Sequence, residues 1–112
     1  MLSKELVAAC SRPLVLTLLG GVESYGYDLI RRVRELSGGR LEWTEGTLYP
    51  VLHRLEREGL IESDWRESET GRRRKYYALT VEGRAALAVE KRDWLTVHQL
   101  LDDLWTQNPS SI

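Results

Sequence analysis

The sequence predicts a mainly α-helical fold with one β-hairpin as a wing and a long last helix. Three observations carry this. Apolar residues recur at helical spacing before residue 60, two short runs between 60 and 79 alternate apolar and polar positions around a turn, and residues 81–105 repeat apolar positions at sevens.

In chain order, Ser3 to Cys10 reads as a short amphipathic helix through Leu6, Val7 and Ala9. Ser11 then reads as the N-cap of a second piece with Pro13 in its first turn, and Leu14, Val15, Leu16, Leu18 and Leu19 make it apolar nearly all round. Gly20 and Gly21 end it. Ser24 is placed to cap a helix from Tyr25 to Leu36, with Gly26, Leu29, Val33 and Leu36 as its inward stripe. Ser37, Gly38 and Gly39 break that helix, and Leu41 to Trp43 is at most a short strand. Leu60 to Trp65 and Lys75 to Leu79 form the hairpin, with Glu69-Thr70-Gly71 as turn chemistry. Thr80 caps the last helix, Val81 to Trp105, whose series Leu87, Trp94 and Leu101, with Val97 and Leu104, makes a seam for another helix, interrupted by Glu90. Gln107 to Ile112 reads as a frayed tail.

Thr44 to Leu60 is the stretch around which the rest is organised. Thr44 is the N-cap, Trp43 and Leu48 have staple spacing, and Gly59 is the stop. Leu48, Leu52 and Leu55 form one apolar stripe, which leaves Thr47, Tyr49, Pro50, His53, Arg54 and Arg57 on flanking and opposite faces. Pro50 removes the bond to the carbonyl of Gly46, so the two are read together as a kinked first turn; alternatively the helix begins at Pro50, with 44–49 a loop. The polar face suits a DNA-recognition helix.

Composition is that of one small domain, 42% hydrophobic and 29% charged, which favours oligomerisation as a source of stability. The single cysteine, Cys10, excludes an intrachain disulfide and fits a reducing compartment. No signal pattern is present at the start and no apolar run is long enough to cross a bilayer, so the expected location is cytoplasmic. The net charge of −1 argues against a generally basic nucleic-acid binder, but residues 71–80 carry +4 and no acid, while 1–70 sum to −3 and 81–112 to −2. A local positive point sits on an acidic body. His53 and His98 are isolated, and no metal-ligand spacing, phosphate loop or nucleophile beside a base is present, so neither catalysis, metal nor cofactor is expected.

The element order makes a winged helix-turn-helix DNA-binding domain over 1–80, followed by a dimerisation helix and tail over 81–112. The strings YGYDL at 25–29, GTLYPVLHRLEREGLIESDW at 46–65 and GRRRKYYALTVEGR at 71–84 resemble the PadR family of bacterial transcriptional regulators, in its short-tailed branch. Departures lie at the front, where Glu23-Ser24 stands in place of a common Gly-Pro. The resemblance implies a repressor that releases DNA on binding an effector.

The candidate DNA-binding residues are Thr44, Thr47, Tyr49, Pro50, His53 and Arg54 of the recognition helix and Arg72, Arg73, Arg74 and Lys75 of the wing. A wing beside a recognition helix reaches phosphates or the narrow minor groove, where guanidinium groups meet concentrated negative potential. Tyr49 is expected to point its phenol away from the leucine stripe, and Arg54 to reach a phosphate or a guanine edge or to pair with Glu58. Thr44 and Thr47 combine capping with phosphate contact. Trp65, Tyr76 and Tyr77 are expected as the apolar underside of the hairpin. Leu14, Leu18, Leu87, Trp94, Val97, Leu101 and Leu104 are the candidate dimer contacts, and Trp94 the candidate wall of an effector site. Expected partners are double-stranded DNA with a palindromic operator, a second copy of the chain, and a small aromatic or hydrophobic effector, but no membrane. The competing reading is a winged helix that has lost DNA binding and serves as a protein-interaction module.

Overall fold

The structure, a computed structural model, describes residues 1–107; the expected frayed tail beyond Gln107 lies outside the described residues. Four helices and a three-stranded sheet follow in the order α1 (Lys4–Gly21), β1 (Ser24–Tyr25), α2 (Gly26–Leu36), α3 (Glu45–Arg57), β2 (Ile61–Glu67), β3 (Arg73–Leu79) and α4 (Val81–Gln107). The sheet is antiparallel in the order β1-β3-β2.

The first helix is one element, not two. Ser3 caps it by accepting from the Leu6 N–H at 3.2 Å, and it runs unbroken through Ser11 and Pro13. Proline in the interior forfeits the bond to the Ala9 carbonyl. Ser11 is not an N-cap but a buried connector: its hydroxyl donates to the Val7 carbonyl at 2.6 Å and accepts from the Trp43 indole at 3.0 Å. Those contacts, with Val15, Leu16, Leu18 and Leu19 buried around the same helix, outweigh one missing backbone bond.

Ser24 likewise does not cap α2, whose N-cap is Tyr25 with no side-chain cap bond. Instead residues 24 and 25 form an edge strand on β3, in register Ser24↔Tyr77 and Tyr25↔Tyr76, which is too short to leave a periodic signal. The Ser24 hydroxyl donates to Asp28. Burial opposes ionisation of Asp28, but hydrogen bonds from Ser24 and Arg31 prevail and hold its carboxyl below the ordinary range. Leu41 to Trp43 forms no strand; Leu41 and Trp43 are buried in the core, Trp43 with its indole bonded to Ser11 of α1.

The third helix starts at Glu45, with the Thr47 N–H donating to Thr44 Oγ1 at 3.2 Å, and Pro50 lies inside it. A Cβ on Gly46 would meet only Thr44 Oγ1 at 3.7 Å, so packing within the chain does not demand glycine there. The helix ends as expected. Gly59, at φ +77°, lets its own N–H reach the Glu56 carbonyl and the Leu60 N–H reach the Leu55 carbonyl, each at 3.0 Å.

Leu48, Leu52 and Leu55 are fully buried and join Leu16, Leu29, Val33, Ile61, Tyr77 and Leu79 in one core. The last helix is fastened to this core by its first turn. Thr80 receives the Gly83 N–H on its hydroxyl at 3.0 Å, and a Cβ at position 83 would lie 1.9 Å from the Leu60 carbonyl oxygen. Beyond Glu90 every described residue of α4 is exposed, and the molecule measures 58 Å along its longest axis against 29 and 20 Å.

Gly83→Ala is therefore expected to destabilise the fold by about 3 kcal/mol, since backbone rather than a side chain must yield. Gly21→Ala, which meets nothing within 4 Å, should be neutral or slightly stabilising. Thermal denaturation of both variants checks this; melting temperatures within about 2 °C of each other would show that α4 can lift off Leu60 without cost.

Candidate nucleic-acid interface

The outward side of α3 divides into three. Thr44 and Thr47 sit at its N-terminus with their hydroxyls 3.0 Å apart, beside exposed Gly46 and Pro50. His53 and Arg54 are exposed further along. Arg54 does not take Glu58 as a partner, because Glu58 is held by Arg12 of α1; among the described residues Arg54 has no ion pair.

Tyr49 departs from its expected orientation. Its phenol folds over the start of α2, where a Cβ on Gly26 would lie 2.5 Å from the hydroxyl oxygen and 2.8 Å from the ring. Gly26 is thus the space that Tyr49 occupies. The ring remains half-buried, with His53 beside it at 6.3 Å between centroids, so an edge rather than the whole side chain faces outward.

On the wing, strand alternation separates the four cations. Ile61, Ser63 and Trp65 of β2 and Arg73, Lys75, Tyr77 and Leu79 of β3 share the face turned to α3, whereas Arg66, Arg74 and Tyr76 share the other. Tyr76 and Tyr77 therefore cannot both form the apolar underside. Tyr77 does, 1% exposed, and loss of water around its phenol, with Glu56 and Tyr49 near it, pushes its pKa up to about 12. Tyr76 lies on the outer face, edge-on to Tyr25 at 5.3 Å, with the Arg66 guanidinium over its ring at 4.9 Å. Trp65 shares the face of Tyr77 but lies beyond the core, being 58% exposed near the hairpin tip with Arg73 over its ring at 5.4 Å.

These stacked cations are positioned before any ligand arrives. Arg74 lies over Tyr25 at 4.4 Å, and Arg66 is held by both Glu23 and Asp64. Each exposed cation–π contact contributes only about 0.5–1 kcal/mol, enough to bias a rotamer without trapping it. Arg72 and Arg73, at the tip, have no carboxylate partner among the described residues.

One residue that the sequence left unassigned joins α3 to the wing. The Glu56 carboxylate accepts from the Ser63 hydroxyl of β2 and lies 3.8 Å from the Lys75 ammonium of β3. Its signal was there: Glu56 stands four residues after Leu52, where the apolar stripe would otherwise continue. Lys75 is accordingly an internal clasp as well as a surface charge.

Tyr49 and His53 of α3, Tyr25 to Tyr27 at the start of α2, and Trp65 with Arg72 to Lys75 of the wing line one open groove of about 620 Å³. Arg54, Thr44 and Thr47 lie outside it, on the adjoining surface of α3. The result is a polar helix face continuous with a basic, aromatic-backed wing. That shape can take a polyanion along the wing while presenting α3 to a neighbouring groove. Among the described residues no group of three or more acidic, histidine or cysteine side chains is arranged to hold a metal ion, and no helix is long and apolar enough to cross a membrane.

The candidate dimer contacts also divide. Leu18 is taken up in the protomer's own core instead, at 8% exposed; Leu14 packs partly on that core, and Leu87 rests against Gly20. Trp94, Val97, Leu101 and Leu104 are 38 to 50% exposed along the free part of α4.

Comparison with known proteins agrees with this architecture. Residues 15–89 match the transcriptional regulator PadR-like family. A transcriptional regulator of Mycobacterium tuberculosis is 48% identical over 59 residues, covering 53% of this chain and 54% of that protein. The solved structure of a transcriptional regulator from Clostridium thermocellum superposes with a TM-score of 0.82 at 28% identity, covering 92% of this chain and 97% of that one. A PadR family transcription regulator from Clostridium difficile gives 0.74 at 35% identity, over 85% and 97%. A family match over most of the chain, together with the winged helix that these structures share, assigns it: the chain belongs to the PadR-like family of transcriptional regulators, not to an enzyme family.

Proposed function

We propose that this chain is a homodimeric repressor that reads a two-fold-symmetric operator with α3 and grips the flanking phosphates with its wing. The observation that carries the reading is the groove in which the start of α2, one side of α3 and Arg72 to Lys75 converge. Thr44, Thr47, Pro50, His53 and Arg54 supply the surface that enters the major groove, and Tyr49 contributes the exposed edge of its ring. Arg72 and Arg73 are the phosphate contacts with no competing carboxylate among the described residues. Two recognition helices related by a two-fold axis call for half-sites about 34–36 Å apart.

Residues 1–80 form the DNA-binding domain in this reading, and the described part of 81–112 the dimerisation helix. Val97, Leu101 and Leu104 support it, since an apolar stripe of this extent is seldom left open by a stable monomer. Trp94 lies on the same stripe, where indoles from two protomers would face each other across a gap suited to a flat apolar or cationic effector. Such a ligand relieves repression to the extent that it binds one dimer arrangement better than the other.

Three outcomes follow. In mobility-shift titrations on the promoter region of the chain's own gene, Arg73→Ala removes two phosphate contacts per dimer. At about 0.9 per contact the slope of log K against log[salt] flattens by roughly 1.8, and an unchanged slope removes Arg73 from the phosphate contacts. Leu101→Glu with Leu104→Glu places charge in the stripe and should give a monomer by sedimentation at micromolar concentration; a persisting dimer would put the interface elsewhere. Planar aromatic cations should quench wild-type tryptophan fluorescence more than that of Trp94→Leu and weaken DNA binding, and equal quenching would return Trp94 to a packing role.

A further inference from the structure

Two acidic residues stand where local chemistry disfavours them. Glu58 is the C-cap of α3, at the negative end of the helix dipole, and Glu90 interrupts the apolar series of α4 between Leu87 and Trp94. One guanidinium accounts for both. Arg12 Nη1 and Nη2 donate to Glu58 Oε2 and Oε1 at 3.1 and 3.0 Å, and its Nε donates to Glu90 Oε1 at 2.9 Å. The second oxygen of Glu90 accepts from the Trp94 indole N–H at 3.2 Å. A continuous chain of hydrogen bonds thus runs from the end of α3, across α1, to the middle of α4.

The geometry points to Arg12 as a positioning residue for DNA recognition, one that ties the end of α3 to the α4 stripe at Trp94 and passes changes between them. This rests on the proposed reading of α3 as the recognition helix. The α4 helix packs chiefly on α1 and β3, so the guanidinium is a direct polar route from it to α3. Side-chain exposures of 35% for Arg12, 41% for Glu58 and 23% for Glu90 make each pair modest as a source of stability, which leaves geometry as what the network supplies. The hydrogen bond to Glu58 raises the pKa of Arg12, and that from Arg12 lowers that of Glu58, so the pair stays charged at neutral pH. Only a planar fork serves one carboxylate with two N–H groups and a second carboxylate with a third; an ammonium keeps the charge and loses that arrangement.

The test follows the indole N–H proton resonance of Trp94, assigned with Trp94→Phe, in the full chain. Glu58 makes no hydrogen bond to Trp94, yet Glu58→Gln should shift this resonance in the wild-type background and leave it unmoved in the Arg12→Ala background. The same proteins are titrated with a duplex that the wild type enriches from a randomised pool. Arg12→Ala should bind about tenfold more weakly, and Arg12→Lys should lie near Arg12→Ala rather than near the wild type. Glu90→Gln cuts the route at its second link and is read in the same way if Arg12→Ala fails to fold. A Trp94 resonance indifferent to Glu58→Gln, or full binding by Arg12→Lys, overturns the positioning role. A wild type that enriches no duplex overturns the reading of α3 instead, and leaves the indole coupling to be judged by itself.

Discussion

The Leu60 carbonyl oxygen lies where the side chain of residue 83 would begin, and it also accepts the Thr80 N–H at 3.1 Å. At this junction the Thr80 hydroxyl donates to the Gly59 carbonyl at 2.7 Å and accepts the Gly83 N–H. The turn that ends α3, the residue that leads into β2, the exit from β3 and the first turn of α4 are thereby fixed to one another through backbone groups and the Thr80 hydroxyl. The third helix, the wing and the long helix have their relative angles set at one point. Glu56 and Arg12 then act as struts on either side, the first holding α3 to the wing and the second holding it to α4.

The sheet adds a second constraint, its period of two. A run of four cations on β3 and the turn before it does not make a uniformly basic ribbon, because successive side chains leave on opposite faces. Lys75 is directed at α3 and shared with Glu56, and Arg74 is laid over Tyr25 on the far face. Of these four cations, only the tip residues Arg72 and Arg73 combine exposure with freedom from a carboxylate among the described residues. Local charge therefore overstates the number of cations available to a ligand. The rest of the sequence is net acidic, so the wing stands out as its most basic segment.

Most of the fold was legible because it is written in periodicity. The α3 stripe, its Thr44 cap and Gly59 stop, the hairpin and the Thr80 cap each leave a mark within a few residues in sequence. What was not legible depends on partners far away in the chain. Ser11 looks like a cap until Trp43, 32 residues on, takes its hydroxyl, and β1 is too short to show any period. Tyr49 looked outward because helical spacing gives a direction but not a rotamer; the gap at Gly26 that draws the phenol inward belongs to another helix. The partner of Glu58 followed the same rule, since Arg54, four residues before it, was displaced by the distant Arg12 with its two-point geometry.

The outer part of α4 carries the largest exposed apolar surface of the described residues. An isolated helix gains little from propensity and depends on packing of an apolar face, yet every residue of this one from 91 to 107 is exposed. Leu95, Leu100 and Trp105 are exposed alongside the stripe of Val97, Leu101 and Leu104, so the apolar surface wraps more than one side of the helix. A single antiparallel or parallel partner helix covers a narrow seam, and a band this wide fits contact with more than one element of a second copy. In a dimer joined through α4, the fastening at Gly83 makes the helix a rigid lever about 25 Å long from its free end to Glu90. A rotation of one copy by about 5° about the free end of its helix then moves the Glu90 end by roughly 2 Å, comparable with the helix shifts that separate states in known switching proteins. The same rigidity that holds α3 and the wing in register thus makes their spacing in a dimer a function of how two α4 helices meet.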